Sequence, residues 1–355
     1  MFRAELETAQ ELATDMLISE YDHVRGIPMS ATSHTDLWPG DTNEWVNAYL
    51  TIERPDLALK TMDTALKSVR PDGSVPHLMQ GSHVRGGVET RWIDRQFYRV
   101  SGVGATKLPN GEWVTKIYAP PTLALSALAI AEAGLELPDN IVDIVATAQQ
   151  KLYEARGNEE ALIEAEHRDE LTNNSGETAH NLAVSVVMDP AVNALAVQNG
   201  RAILKLARIL EPNRNLDNIR SQTDQTHESL VKFINNSKGT CSPERTLAIA
   251  RVGTILGMKD EDLEEFYSEP NSDDKHPERT HLSMDRCIEL AHSTPYSAQS
   301  TDYMRRIVPK LANGEFTRFE NALPGNNPVE NKGYRRQFWL PVAAQIVQID
   351  KSLVA

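Results

Sequence analysis

The side chains of this chain that can do chemistry sit in a few short stretches. Trp38, Asp41 and Thr42 stand together ahead of an amphipathic segment. Asp72 and His77 belong to the run Arg70-Pro-Asp-Gly-Ser-Val-Pro-His77. Trp92 falls in a long aromatic-containing stretch. His167-Arg-Asp-Glu-Leu-Thr-Asn-Asn-Ser175 carries Asp169, Glu170, Asn173 and Asn174, and Phe319-Glu320-Asn321 is followed by Phe338-Trp339. Carboxyl groups can give and take protons, amides can only donate and accept hydrogen bonds, and aromatic faces offer contact area at low entropic cost. Metal and nucleotide chemistry lack the corresponding patterns. His34, His77 and His83, and separately His276, His281 and His292, show no i, i+4 pairing with an acid. Neither GxGxxG nor a P-loop sequence occurs, so no metal and no cofactor is expected.

Elements that could position these groups follow from periodicity. Apolar residues recur at helical spacing in about twelve segments. These run near 2–20, 42–53, 55–69, 121–134, 138–167, 190–210, 215–236, 243–256, 259–267, 280–292, 299–313 and 335–353. Asp41 or Thr42 suits an N-cap, and Pro55, Pro138, Pro190 and Pro243 stand where a first turn accepts proline. Gly134 and Gly257 are natural stops, and Pro71-Asp72-Gly73 is turn chemistry in which Gly73 is free to take a positive φ. Strand signals are scarce. The best is a hairpin at Asn110-Gly111 inside the long stretch 79–120, to which strand content is expected to be confined.

Composition narrows the function classes. Forty per cent apolar residues supply a substantial core, and 355 residues fit one large helical domain. The formal charge of −14, with no basic stripe to offset it, argues against a nucleic-acid partner. Cys241 and Cys287 are the only cysteines, too few for a disulfide framework. No run approaches the roughly 18 apolar residues that span a bilayer. The N-terminal MFRAELETAQELATDMLISEY is an acidic amphipathic helix without a cleavable apolar centre, and the expected address is cytoplasmic. Oligomeric state is left open.

The loop–helix–turn–helix–loop run from His34 to Leu78 resembles the first helix pair of the (α/α)6-barrel glycoside hydrolases of the mannosylglycerate hydrolase, processing α-glucosidase and trehalase type. Asp41-Thr42 is similar to that family's Trp-Asp-Thr opening, although Trp38 stands three residues before Asp41 instead of directly before it. Pro71-Asp72-Gly73-Ser74-Val75-Pro76-His77 resembles its Asp-Gly-x-Ile-Pro-His turn, and Tyr118-Ala-Pro-Pro121 its Gln-Pro-Pro segment, with Ala119 in place of the Gln. The resemblance implies an all-α fold, a single (α/α)6 barrel of residues 1–355 with a small β-hairpin in a long loop. It further implies a small carbohydrate substrate, an α-glucoside or α-mannoside such as a disaccharide or glycosylglycerate. Trp38, Asp41, His77, Trp92 and Trp339 would then be substrate-binding residues that converge with Glu320 on one concavity.

Inverting hydrolysis needs one protonated and one ionised carboxyl group on opposite sides of the glycosidic bond. The resemblance makes Glu320 the general base, on the similarity of Phe319-Glu320-Asn321 and Phe338-Trp339 to the family's closing motif. A second register, reading Tyr334-Arg-Arg-Gln-Phe-Trp339 as an earlier motif, would leave the chain without that base. The stretch 167–175, with Asp189-Pro-Ala-Val-Asn-Ala194 after it, resembles the segment that carries the family's general acid. Counting from Glu170 places the acid at Asn174, and aligning on the Asn-Ser pair places it at Asn173. An amide cannot protonate a leaving oxygen. Either Asp169, Glu170 or Glu177 takes the role, or the protein binds sugar without efficient cleavage. An isomerase of the related sugar 2-epimerase barrels is the other alternative. It would need paired histidines on inner helices, and the histidines here lie mostly in loops.

Overall fold

A computed structural model describes residues 2–23, 26–28, 39–75, 80–84, 87–91, 120–165, 187–188, 190–237, 252–253, 256–259, 312 and 340–349. These are mostly helical. They fall into two compact units. The first comprises Met1–Leu37, Glu44–Thr61 and Glu269–Ala355; the second comprises Trp38–Asn43 and Met62–Ser268.

In the first unit, α1 (Phe2–Ser19) buries Leu6, Ala9, Ala13 and Leu17, one helical stripe, and packs against α8 (Leu340–Val347). Gln10 fastens this pair. Its Nε2 donates to the carbonyls of Ile346 at 3.2 Å and Ile349 at 2.9 Å, satisfying groups that the end of α8 would leave open. The chain then forms the short antiparallel pair β1 (Tyr21–Asp22) and β2 (Ile27–Pro28). α2 (Thr42–Thr51) buries Trp45 and Tyr49, and the Tyr49 ring meets Tyr21 edge-on at 5.4 Å. α3 (Pro55–Leu66) begins at its proline, with Arg54 donating two bonds to the Asp56 carboxylate at 2.9 and 2.8 Å.

The second unit holds α4 (Pro120–Glu132), α5 (Ile141–Arg156), α6 (Pro190–Leu210) and α7 (Asp217–Ser237). α6 packs against α4, α5 and α7. Leu162, Ala194, Val197, Leu230, Ile234, Val252 and Leu256 make one apolar core, and Leu152, Tyr153, Ile163, Val192 and Ala196 make another. Helices α6 and α7 approach closely at Gly200, where a Cβ would lie 2.0 Å from the Thr223 hydroxyl. The antiparallel strands β3 (Gln80–Val84) and β4 (Gly87–Arg91) pair from Gln80 with Arg91 to Val84 with Gly87. Strands β5 (Glu164–Ala165) and β6 (Val187–Met188) form a further short pair.

Two expectations need correction. The segment 138–167 is not one helix. α5 starts at Ile141 and stops at Arg156, because Gly157 is extended and the chain turns back through an isolated bridge between Gly157 and Ile163. Strand pairing is also not confined to 79–120, since β1–β2 and β5–β6 lie elsewhere. The hairpin expected at Asn110-Gly111 lies outside the described residues. Glycines, by contrast, stop helices and turns as their chemistry predicts: φ is +84° at Gly73, +72° at Gly134 and +79° at Gly257.

Candidate functional site

The expected site begins at a single turn. Pro39–Asp41 forms a short 3-10 turn that leads into α2, with Asp41 half-buried at its end and Thr42 fully buried behind it. This turn packs against α4, whose first residues are Pro120 and Pro121. Two of the sequence motifs thus meet in space although about 80 residues separate them along the chain.

The second motif is a rigid bend. Gly73 N–H donates to the Arg70 carbonyl at 2.8 Å, and Arg70 N–H donates to the Ser74 carbonyl at 3.0 Å. Asp72 Oδ1 accepts from both the N–H of Ser74 at 2.9 Å and its hydroxyl at 2.7 Å. Partial burial pushes the Asp72 carboxyl up. The two Ser74 bonds and the charges of Lys151 and Arg70 outweigh that and hold it below the usual carboxylate range. A Cβ on Gly73 would lie 2.7 Å from the Thr147 carbonyl, so the bend rests directly on the backbone of α5. Asp72 is therefore occupied in shaping the turn that precedes Pro76-His77.

Helix α6 supplies two buried amides with different tasks. Asn199 accepts the Ala124 N–H at 2.9 Å and donates to Gln149 Oε1 at 2.8 Å, while Gln149 donates to the Ala196 carbonyl at 3.0 Å. This relay ties the proline-led start of α4 to α5 and α6. Asn193, one turn and a half earlier, binds one residue twice. Its Oδ1 accepts the Ile163 N–H at 2.7 Å and its Nδ2 donates to the Ile163 carbonyl at 3.0 Å.

Asn158 forms a companion clamp, accepting the N–H groups of Glu160 and Leu162 at 2.9 Å each and donating to Glu164 at 2.7 Å. With Glu164 paired to Met188 and Ala165 to Val187, both ends of the stretch 166–186 are held side by side. Sequence reading picked out Asn193 only as part of a motif and passed over Asn158, Gln149 and Asn199. Gln149 and Asn199 carry no local mark, because their partners stand 47 to 75 residues away on other helices.

Of the expected site residues, Asp41 is described. Trp38, His77, Trp92, Asp169, Glu170, Asn173, Asn174, Glu320 and Trp339 lie outside the described residues. Among the described residues no three His, Cys, Asp or Glu side chains come together as a metal site, and no helix is long and apolar enough to cross a membrane. A concavity of about 340 Å³ lies between the 157–161 bend and α7, lined by Tyr153, Asn158, Ser221, Gln222 and Gln225 among others. It contains none of the expected site residues.

Comparison with solved structures places the whole chain beside known proteins. It is similar to an uncharacterized conserved protein from Thermus thermophilus, with TM-score 0.62 at 13% identity over 96% of this chain and 99% of that one. It is also similar to the GH63 mannosylglycerate hydrolase from the same organism. The complex of that enzyme with Tris gives TM-score 0.61 at 11% identity over 95% of this chain and 98% of the other. The complex with Tris and D-glycerate gives 0.58 at 12% identity over 96% and 99%. No family model matches the sequence, and no curated protein matches it either. At these identities the likeness shows a shared fold.

Proposed function

We propose that this chain is a glycoside hydrolase-like protein whose substrate is a small α-glucoside or α-mannoside, a disaccharide or a glycosylglycerate. The observation that carries the reading is the end-to-end fold likeness to a mannosylglycerate hydrolase. The Pro71-to-His77 turn and the Asp41 turn, each resembling a motif of that enzyme type, support it independently. The chain is one (α/α)6 barrel in this reading, with Trp38, Asp41, His77, Trp92 and Trp339 around the sugar.

Glu320 acts as general base. Its carboxylate draws a proton from a water that attacks the anomeric carbon, as the bond to the leaving oxygen breaks on the opposite face. The leaving oxygen needs a proton, and Asn173 or Asn174 stands where the donor belongs. Turnover is therefore slow while sugar affinity persists. That amide also favours a second reading, a sugar-binding protein without catalysis.

The deciding experiment incubates the chain with α-mannosylglycerate and with simple α-glucosides, following binding by calorimetry and the anomeric form of the released sugar by NMR. Binding with slow release of the inverted anomer is expected, and Glu320→Gln should abolish release and keep binding. Binding without any release selects the second reading. Absence of binding to every α-glycoside overturns both. Unchanged turnover in Glu320→Gln removes Glu320 and supports the alternative register through Tyr334–Trp339.

A further inference from the structure

Helix α7 carries two stripes of different character. Ile219, Thr223, Thr226, Leu230 and Ile234 are buried. Beside them Asn218, Ser221, Gln222 and Gln225, spaced i, i+3, i+4 and i+7, line the concavity of about 340 Å³ against the 157–161 bend. The C-terminal end of this polar stripe is committed to the bend. Gln225 Nε2 donates to the Glu159 carbonyl at 3.4 Å, and Ser229 Oγ donates to the Glu160 carbonyl at 2.8 Å. The N-terminal end is not committed. Among the described residues, the carboxamides of Asn218 and Gln222 and the hydroxyl of Ser221 take no protein partner.

The bend opposite them is held in a strained form. Ala161 has φ +56°, a left-handed conformation that residues with a Cβ seldom adopt. Its N–H donates to the Asn158 carbonyl at 3.0 Å, and Thr226 Oγ1 lies 2.8 Å from its own carbonyl. The same Thr226 oxygen lies 2.8 Å from the Tyr153 hydroxyl. Such strain persists only where the surroundings over-determine it, and strained residues gather at ligand sites.

The lining selects one ligand chemistry. Carboxamides and hydroxyls both donate and accept, the pattern that a molecule with many hydroxyls returns. No Lys or Arg is among the described residues that line the concavity, whereas Glu159 is. A phosphate or carboxylate would therefore meet one like charge and no counter-charge. Tyr153 is 6% exposed, so it offers no open ring face for stacking. We propose that this concavity binds a neutral polyhydroxylated molecule, a polyol or a single sugar ring, through Asn218, Ser221 and Gln222. None of these residues belongs to the proposed active site, so the inference stands apart from the hydrolase reading.

The experiment follows hydrogen exchange by mass spectrometry in the full-length chain titrated with D-glucose, D-mannose, glycerol and myo-inositol. D-Gluconate serves as the anionic counterpart of glucose. At least one neutral probe should slow exchange in peptides covering 157–165 and 217–229 and leave 120–132 unchanged, and gluconate should have no such effect. Asn218→Ala and Gln222→Ala should each raise the concentration for half-maximal slowing by about two- to tenfold, the scale of one net hydrogen bond. Asn236→Ala, which removes an exposed amide on α7 away from the concavity, should leave it at the wild-type value.

No slowing with any of the four neutral probes overturns the proposal. Equal slowing in every peptide does so too, since it marks a general solvent effect. Gluconate acting as well as glucose refutes the neutral ligand, and an equal shift in Asn236→Ala refutes the assigned residues. A chain that binds no α-glycoside at the proposed active site sinks the hydrolase reading instead, and the local exchange measurement still decides this one.

Discussion

Asn199 on α6 donates its Nδ2–H to Gln149 Oε1 on α5 over 2.8 Å, and both side chains are buried. The same Asn199 accepts the Ala124 N–H of α4, so one amide serves three helices. Asn199→Ala leaves Gln149 Oε1 without its buried donor and removes the side-chain bond to the Ala124 N–H, at a cost of about 1–3 kcal/mol. Gln149→Ala removes the acceptor of one Asn199 hydrogen and the side-chain bond to the Ala196 carbonyl, at comparable cost. Because the residues share one network, the double variant should lose less than the sum of the single losses. Urea unfolding of the four proteins measures this, and strict additivity would show that the relay does not act as a unit.

Gly73 and Gly134 separate backbone strain from packing. Both have positive φ, but a Cβ at Gly73 would press on the Thr147 carbonyl while one at Gly134 would meet nothing within 4 Å. Gly134→Ala should cost only the left-handed conformation, about 1–2 kcal/mol. Gly73→Ala should cost that plus displacement of the bend from α5, and should also weaken sugar binding if the following Pro76-His77 contacts substrate. Equal losses of stability in the two variants would contradict the close contact at Thr147.

Alkaline pH should destabilise the fold in a defined window. Burial pushes the phenols of Tyr21 and Tyr153 up to about 12, and pushes Tyr49 higher still, from an ordinary value of 10.0. The folded chain thus holds these protons more tightly than the unfolded one. Their contribution is intact below pH 10 and is lost as pH rises through about 12. Asp72 has the opposite sign. Its carboxyl lies below the ordinary 3.8 when folded, so its contribution is present above that pH and lost as the medium is acidified further. Denaturant titrations across pH, with phenolate absorbance followed in parallel, read both effects. Tyr21→Phe should blunt the alkaline limb, and Asp72→Asn the acid limb.

The proposed reading, in which an amide takes the acid position, makes a chemical prediction. A placed general acid contributes about 10²–10⁴-fold. Asn173→Asp or Asn174→Asp, according to register, should raise turnover of an alkyl α-glycoside by a sizeable part of that factor. The gain should be small for nitrophenyl α-glycosides, whose leaving group departs without a proton. A wild-type rate of about 10 s⁻¹, typical of enzymes, on an alkyl α-glycoside would place the proton donor elsewhere. Asp169 and Glu170 would then be the first residues to replace.

The helices were legible where local chemistry suffices. Pro55 and Pro190 open α3 and α6, and Gly134 turns where a left-handed residue is needed, because fixed φ, a missing N–H or a missing Cβ acts within a few residues. The turn at 70–75 was legible for the same reason. Periodicity overran the end of α5, however, since apolar spacing continues past Arg156 while the chain itself turns at Gly157 to reach Ile163. That turn is held by Asn193, 30 residues away, and by β6 beyond 166–186. The roles of Gln149, Asn193 and Asn199 were equally closed to sequence reading. A neutral amide suits surface or core alike, and only the packing of α6 against its neighbours removes the water and leaves each amide one set of partners.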